Sequence, residues 1–262
     1  MAYILAINPG STSTKIALFE GEKEVFTKTL RHSSEEISQY ERVIDQLEFR
    51  EKTILAALEE NGVRLSDIAV IVGRGGLLRP ISSGVYEVND AMTADLSSAC
   101  YGEHASNLGG ILAKRIAAST EGCRAFIADP VVVDELTDIA RVSGHPLFPK
   151  ISIFHALNHK AIAKLYARET GRAYADLNLI VAHLGGGVSV GAHSGGRVVD
   201  VNNALFGEGP FSPERTGGLS AMQVADACFS GKYTHAEIKK MISGKGGIVA
   251  HLGTNSFKEV ED

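Results

Sequence analysis

Residues 3–19 read Tyr3-Ile4-Leu5-Ala6-Ile7-Asn8-Pro9-Gly10-Ser11-Thr12-Ser13-Thr14-Lys15-Ile16-Ala17-Leu18-Phe19. The apolar run from Tyr3 to Asn8 is stopped by Pro9-Gly10 and resumes from Lys15, with small hydroxyl residues between. This pattern predicts two antiparallel strands joined by a tight turn, and Gly21 then turns the chain into a third strand over 24–30. The pattern returns in the second half. Leu179-Ile180-Val181-Ala182-His183-Leu184-Gly185-Gly186-Gly187 leads into a hairpin of 188–192 and 197–201 around Ser194-Gly195-Gly196. His183 follows Asn8 by 175 residues, and Gly196 follows Gly21 by the same 175. Each half is therefore expected to open with strand, glycine turn and strand, with the two turns facing a common cleft. At about 150 residues per domain, the 262 residues fit two modest domains. The expected division is 1–150 and 151–262, with a hinge at 143–149.

Between these hairpins, helical spacing of apolar residues predicts a helix over 37–60, stopped by Gly62. A buried strand is expected at 68–72, a helix over 91–118 interrupted at Gly109-Gly110, and a strand at 125–128 ending at Asp129-Pro130. Helices at 154–169, 219–229 and 235–243 complete the pattern. Strands alternating with helices give the α/β class. Ser256 followed three residues later by Glu259 is a capping box that announces a helix close to Asp262. The expectation is therefore a chain whose second domain is incomplete.

The net charge of −5 supplies no basic stripe, so no nucleic-acid partner is expected. Cys100, Cys123 and Cys228 form no Cys-x-x-Cys pair, which argues against a disulfide scaffold or thiolate zinc site and fits a reducing cytosol. No apolar run approaches the ~20 residues needed to span a bilayer, and residues 1–10 lack the features of a signal peptide. The expected setting is cytoplasmic, without membrane association.

Several segments carry candidate chemistry. In Asn8–Lys15, Gly10 lets the backbone approach an anion while Ser11, Thr12, Ser13 and Thr14 offer donors in a tight arc, although no Walker loop is present. Gly185, Gly186 and Gly187 after a buried strand point to a turn or ligand that needs bare backbone. Arg74, between Gly73 and Gly75-Gly76, and Arg215, in Glu214-Arg215-Thr216-Gly217-Gly218, offer forks for carboxylate or phosphate oxygens. His155 and His159 lie one turn apart on a helix. Without a Glu after the first His they make a poor zinc pair, and an imidazole donating to a phosphoryl oxygen fits better. Asp129 suits a metal held through water. Gly187-Val188-Ser189-Val190-Gly191 matches a hydrolase elbow, but the glycines after Ser189 do not support the required helix, so Ser189 is read as a strand residue.

Taken together, Ile7–Lys15, Gly73-Arg74-Gly75-Gly76, Phe154-His155-Ala156-Leu157-Asn158-His159, His183–Gly187 and Phe206-Gly207-Glu208-Gly209-Pro210-Phe211-Ser212-Pro213-Glu214-Arg215-Thr216-Gly217-Gly218 resemble the acetate kinase family. This family lies within the sugar kinase, Hsp70 and actin superfamily. Pro9 and the run from Gly209 to Pro213 favour the butyrate kinase branch. The resemblance implies duplicated ribonuclease-H-like (actin-like ATPase) domains around a nucleotide cleft. It implies reversible transfer of the ATP γ-phosphoryl group to a short-chain carboxylate, with ATP/ADP and Mg²⁺ as cofactors and a homodimer or higher homo-oligomer as the assembly. Asn8 to Lys15 would be the first phosphate loop and His183 to Gly187 the second. Arg74 and Arg215 would grip carboxylate and phosphoryl group, His159 and His104 would lie near the transition state, and Asn8 and Asp129 near the metal. The family's sequences continue into an adenosine-binding glycine segment and a Mg²⁺-holding glutamate, neither of which is visible in this chain. A non-catalytic or regulatory nucleotide-binding member of the same superfamily, and a serine hydrolase using Ser189, are the alternative readings.

Overall fold

The computed structural model describes residues 2–261. They fall into two compact units, divided between Val132 and Val133. Residues 143–149, expected as the hinge, lie within the second unit. Among the described residues no helix is long and apolar enough to cross a membrane.

The first unit begins with β1 (Tyr3–Pro9), β2 (Ser13–Glu20) and β3 (Lys23–Arg31), followed by the short α1 (Ser34–Ser38). Next come α2 (Leu47–Glu60), β4 (Ile68–Arg74), β5 (Val85–Glu87), α3 (Asp90–Ser98), α4 (Asn107–Ala118) and β6 (Arg124–Ala128). One sheet forms in the order β3-β2-β1-β4-β6-β5. β1, β2 and β3 form an antiparallel meander, whereas β4 pairs parallel to β1 and β6 parallel to β4. Alternation sets the core face: Leu5 and Ile7 of β1 and Ile16 and Leu18 of β2 are buried, and α2 covers them with Ile54 and Leu58. Thr14 continues that inward phase, so a hydroxyl enters the core beneath the first glycine turn.

Two helix expectations are corrected. The predicted 37–60 helix is split, because Arg42 becomes an extended cap whose backbone N–H bonds the Asp45 carboxylate, and α2 starts only at Leu47. The predicted 91–118 helix breaks at 99–106 rather than at Gly109-Gly110. Ala99 and Gly102 take positive φ there, and the Gly102 carbonyl accepts from Asn107. Gly109 and Gly110 lie inside α4, where a helix crosses a strand at backbone distance. A Cβ on Gly73 would overlap the Gly109 carbonyl, and one on Gly109 would overlap the Arg74 carbonyl.

The second unit contains α5 (Ala156–Glu169) and the antiparallel β7 (Leu179–Leu184), β8 (Val188–Ser194) and β9 (Arg197–Val201). α6 (Ala221–Phe229), α7 (His235–Ile242), α8 (Ile248–Leu252) and α9 (Phe257–Glu261) follow. Its core groups Val133, Leu136, Phe154, Ala156, Val198 and Val201. The capping expectation at Ser256 is half met. Its hydroxyl receives the Glu259 N–H, but the Glu259 carboxylate takes the Thr254 hydroxyl instead of the Ser256 backbone.

The meander is the part of the duplication that both units share. β1 ends at Pro9 and β7 at Leu184, an offset of 175, but Thr14 and Val188, which open the returning ladders, differ by 174. The second turn is one residue shorter. Consequently Gly21 and Gly196 do not correspond: Gly21 is the first residue of its two-residue turn and Gly196 the second of its own. Unit 2 repeats strand, turn, strand and strand; among its described residues no parallel strand is added beside β7 as β4 is beside β1.

Candidate active site

In the first unit, sheet order assembles residues far apart in sequence. Ile7 pairs with Gly73, so Asn8 and Arg74 sit side by side at the carboxyl ends of β1 and β4. Arg74 pairs with Ala128, which puts Asp129 one residue past the end of β6. The carboxyl edge of adjacent parallel strands is where open α/β sheets bind ligands. The Arg74 guanidinium donates to Asn8 Oδ1 at 3.3 Å, and partial burial holds its pKa below the ordinary arginine value. Gly75 and Gly76 follow because a Cβ at either would strike Pro130 or Asn107. Asn107 Oδ1 then accepts the Leu77 N–H.

Asp129 is buried, with φ of 37°, a left-handed backbone that is uncommon for a non-glycine residue. Its Oδ1 accepts both the Ser83 hydroxyl at 2.7 Å and the Gly84 N–H at 2.8 Å. Both bonds fall on one oxygen. His104 lies in the turn before α4, where its Nδ1 accepts the Ser106 N–H at 3.2 Å, an arrangement that leaves the proton of a neutral ring on Nε2. Among the described residues no group of three or more His, Cys, Asp or Glu side chains is placed to hold a metal ion.

The first glycine turn is built from beneath by a residue that sequence reading missed. Arg50 of α2 is completely buried and spends all five of its donors on neutral acceptors. Nε and Nη2 bond Gln46 Oε1, Nη2 also the Ser11 carbonyl, and Nη1 the Ser13 carbonyl and the Thr14 hydroxyl. Burial pulls its pKa to about 10. Thr14, expected to face a phosphate, points instead at Arg50 and at His32, 2.9 Å away, while Ser11, Thr12 and Lys15 are exposed. The signal was present in the sequence: Arg50, Ile54, Ala57 and Leu58 share the buried stripe of α2, where a charged residue is out of place.

In the second unit, Arg215 lies against the glycine turn, a contact the sequence reading did not anticipate. A Cβ on Gly187 would overlap the Arg215 guanidinium, whose Nη1 donates to the Ala204 carbonyl. Ser212 donates to the Gly186 carbonyl at 2.8 Å. The Arg215 segment is pinned by a bridge to Ser243 and by Thr216 N–H donating to the Ile242 carbonyl at 3.1 Å. Gly185 lies against the His183 ring.

The structure separates the two histidines at the start of α5. His155, at the amino end of the helix, stacks on His183 with ring centroids 3.7 Å apart, and Asn158 bonds His183 Nδ1 at 3.0 Å. His159, expected near the transferring group, is fully buried and has no surface with which to touch a substrate. Burial, reinforced by the neighbouring His193, drives its pKa to about 4. Spacing of four puts both rings on one helix face but does not say which turn lies beside the glycines. Ser189 is fully buried at the second position of β8, bonded to His155 Nδ1 at 2.8 Å and His159 Nε2 at 2.9 Å. It is a strand residue and not an exposed nucleophile. Gly191 is bare because a Cβ there would press on the His159 ring.

A profile described as the acetokinase family matches residues 152–262. Butyrate kinase 2 of Clostridium acetobutylicum is 58% identical over 259 residues, covering 99% of this chain and 72% of the relative. Butyrate kinase 1 of the same organism is 56% identical over 262 residues, covering all of this chain and 74% of the relative. Among solved structures, the crystal structure of Porphyromonas gingivalis acetate kinase aligns with all of this chain and 73% of its own, at a TM-score of 0.76 and 19% identity. That likeness concerns the fold.

Proposed function

This chain belongs to the acetokinase family, and on that premise we propose that it transfers the γ-phosphoryl group of ATP reversibly to a short-chain carboxylate of the size of butyrate. The observation that carries this reading is the row of Asn8, Arg74 and Asp129 at the carboxyl ends of three adjacent parallel strands.

The chemistry follows from charge. A carboxylate nucleophile is already ionised at neutral pH, so no general base is required. The obstacle is bringing one anion up to another, and catalysis consists of placement and neutralisation. Arg74 and Arg215 supply delocalised cations with forked donors that suit carboxylate and phosphoryl oxygens. Ser11 and Thr12 of the first turn and Gly186 and Gly187 of the second offer backbone N–H groups to phosphates. His155 takes the part first expected of His159, and His104 offers a second imidazole donor. Direct in-line transfer needs no phospho-enzyme.

The divalent metal is proposed to be Mg²⁺, which would neutralise phosphate charge and orient the transferred group. Mg²⁺ keeps several waters and uses one or two carboxylates together with substrate phosphates. Asp129 fits that habit, since its two hydrogen bonds share Oδ1 and leave Oδ2 for a metal-bound water. Asn8 Oδ1 already accepts from cationic Arg74, so Asn8 fits phosphate binding better than direct ligation.

A coupled assay for ADP release, with acetate, propionate, butyrate and isobutyrate in turn, tests the proposal. Acid-dependent ADP release that is greatest with a four-carbon acid is expected. Release independent of added acid would overturn it.

A further inference from the structure

A continuous hydrogen-bonded file runs through the second unit behind the glycine turn. Tyr174 Oη lies 2.7 Å from His193 Nδ1, and His193 Nε2 lies 3.3 Å from His159 Nδ1. His159 Nε2 lies 2.9 Å from Ser189 Oγ, which is 2.8 Å from His155 Nδ1. His155 in turn stacks on His183 of the glycine turn. His159, His193 and Ser189 are all buried.

A neutral imidazole has one donor nitrogen and one acceptor nitrogen. Burial keeps His159 and His193 neutral, with pKa values of about 4. With His155 neutral as well, and Ser189 donating to one ring while accepting from the other, each link fixes the next and the fully bonded file has two directions. If Tyr174 donates to His193, all three histidines carry their proton on Nε2 and His155 presents an N–H beyond the file. If the direction reverses, all three carry it on Nδ1 and His155 presents a lone pair.

We infer that Tyr174 is a positioning residue that polarises this file toward His155, holding His155 as an Nε2–H donor for an anionic phosphoryl oxygen. One observation and one chemical argument select the direction. The Lys160 ammonium sits 5.7 Å from the Tyr174 ring centroid, and a nearby cation makes a phenol a better donor. Lys160 is itself held in place by Glu135 at 2.6 Å and the Gly196 carbonyl at 3.1 Å. The ligand end also wants a donor, because a phosphoryl oxygen repels a lone pair. This last step rests on the reading that the glycine turn binds phosphate.

Long-range ¹H–¹⁵N correlation of histidine-labelled protein at pH 7 reads the direction without any assay of activity. The expected result is a pyridine-type Nδ1 and a pyrrole-type Nε2 at His155, His159 and His193. A pyrrole-type Nδ1 at His155 would overturn the proposal, whether or not the chain phosphorylates anything. Tyr174→Phe removes the polarising donor. In the folded variant the His155 nitrogens should move to averaged, mixed-tautomer positions, and kcat should fall about tenfold with the KM for ATP nearly unchanged. Unaltered His155 resonances in Tyr174→Phe would equally refute it, and Ser189→Ala, which cuts the file at its last link, gives the same readout should the tyrosine variant not fold. Titration with ATP addresses the phosphate reading separately. If His155 Nε2 does not respond while its tautomer is as stated, that reading fails and the file's direction stands.

Discussion

The Arg74 guanidinium donates to the Asn8 side-chain oxygen at 3.3 Å across 66 residues of sequence, joining the ends of β1 and β4. Neither residue marks a site alone. The proposed site rests on their meeting at the carboxyl edge of a parallel pair, and the backbone that permits it is unusually close, with α4 laid on β4 at Gly73 and Gly109.

That closeness is directly testable. Gly109→Ala places a methyl group on the Arg74 carbonyl, so helix and strand must separate. Overpacking of this kind costs about 1–3 kcal/mol. The expected outcome is a lowered urea midpoint together with a fall in turnover, because Arg74 is carried on the displaced strand. Full stability and full activity would show that the crossing is looser than described.

Arg50 should matter to nucleotide affinity without touching the nucleotide. It holds the carbonyls of Ser11 and Ser13 from below, which fixes the turn's outward face. Arg50→Met leaves those carbonyls and the Thr14 hydroxyl without their donor, at a cost of about 1–3 kcal/mol for each group that stays buried. A raised KM for ATP in the folded variant is expected, and Arg50→Lys should not restore it, because an ammonium has three donors at one point instead of a five-donor fork. An unchanged KM in Arg50→Met would remove this role.

Removing Arg215 tests the second turn. By analogy with a lost oxyanion donor, Arg215→Ala should lower kcat by about 10²–10³-fold. Near-normal turnover would exclude Arg215 from the transferring group.

Stability should fall in mild acid. His159 and His193 have folded pKa values of about 4, chiefly through burial, helped by His193 beside His159 and by the Lys160 ammonium beside His193. Their unfolded values lie near 6.5. Between these limits the unfolded chain binds more protons, so stability is complete above about pH 6.5 and declines toward pH 4. Each histidine contributes a slope of about 1.4 kcal/mol per pH unit. Urea midpoints measured from pH 7 to pH 5 should decrease; a flat profile would mean that these rings are not buried neutral.

The meander strands were legible because alternation of apolar residues survives in both halves, as Leu5 and Ile7 against Ile16 and Leu18 illustrate. The constant offset of 175 was half real. It aligned β1 with β7, while Gly21 and Gly196 coincided only because the second turn lost a residue. What sequence could not supply was distance between backbones. Gly109 read as a helix break because a glycine at a close crossing looks the same as a glycine at a bend. The resemblance singled out His159 of its pair, and helical spacing, which gives a face and not a depth, did not reveal that His159 is fully buried. Arg50 carried its signal, a charge in an apolar phase, yet its acceptors on the first glycine turn lie more than 30 residues away and only the fold brings them to it.

The most direct test of carboxylate phosphorylation is trapping of the product. Incubation of the protein with butyrate, Mg²⁺, ATP and hydroxylamine should yield butyryl hydroxamate, in an amount that depends on both ATP and the acid and matches the ADP formed. If ATP binds but no hydroxamate appears with butyrate, isobutyrate, propionate or acetate, the chain is a nucleotide-binding protein without phosphoryl transfer to carboxylates, and the proposed kinase activity is refuted.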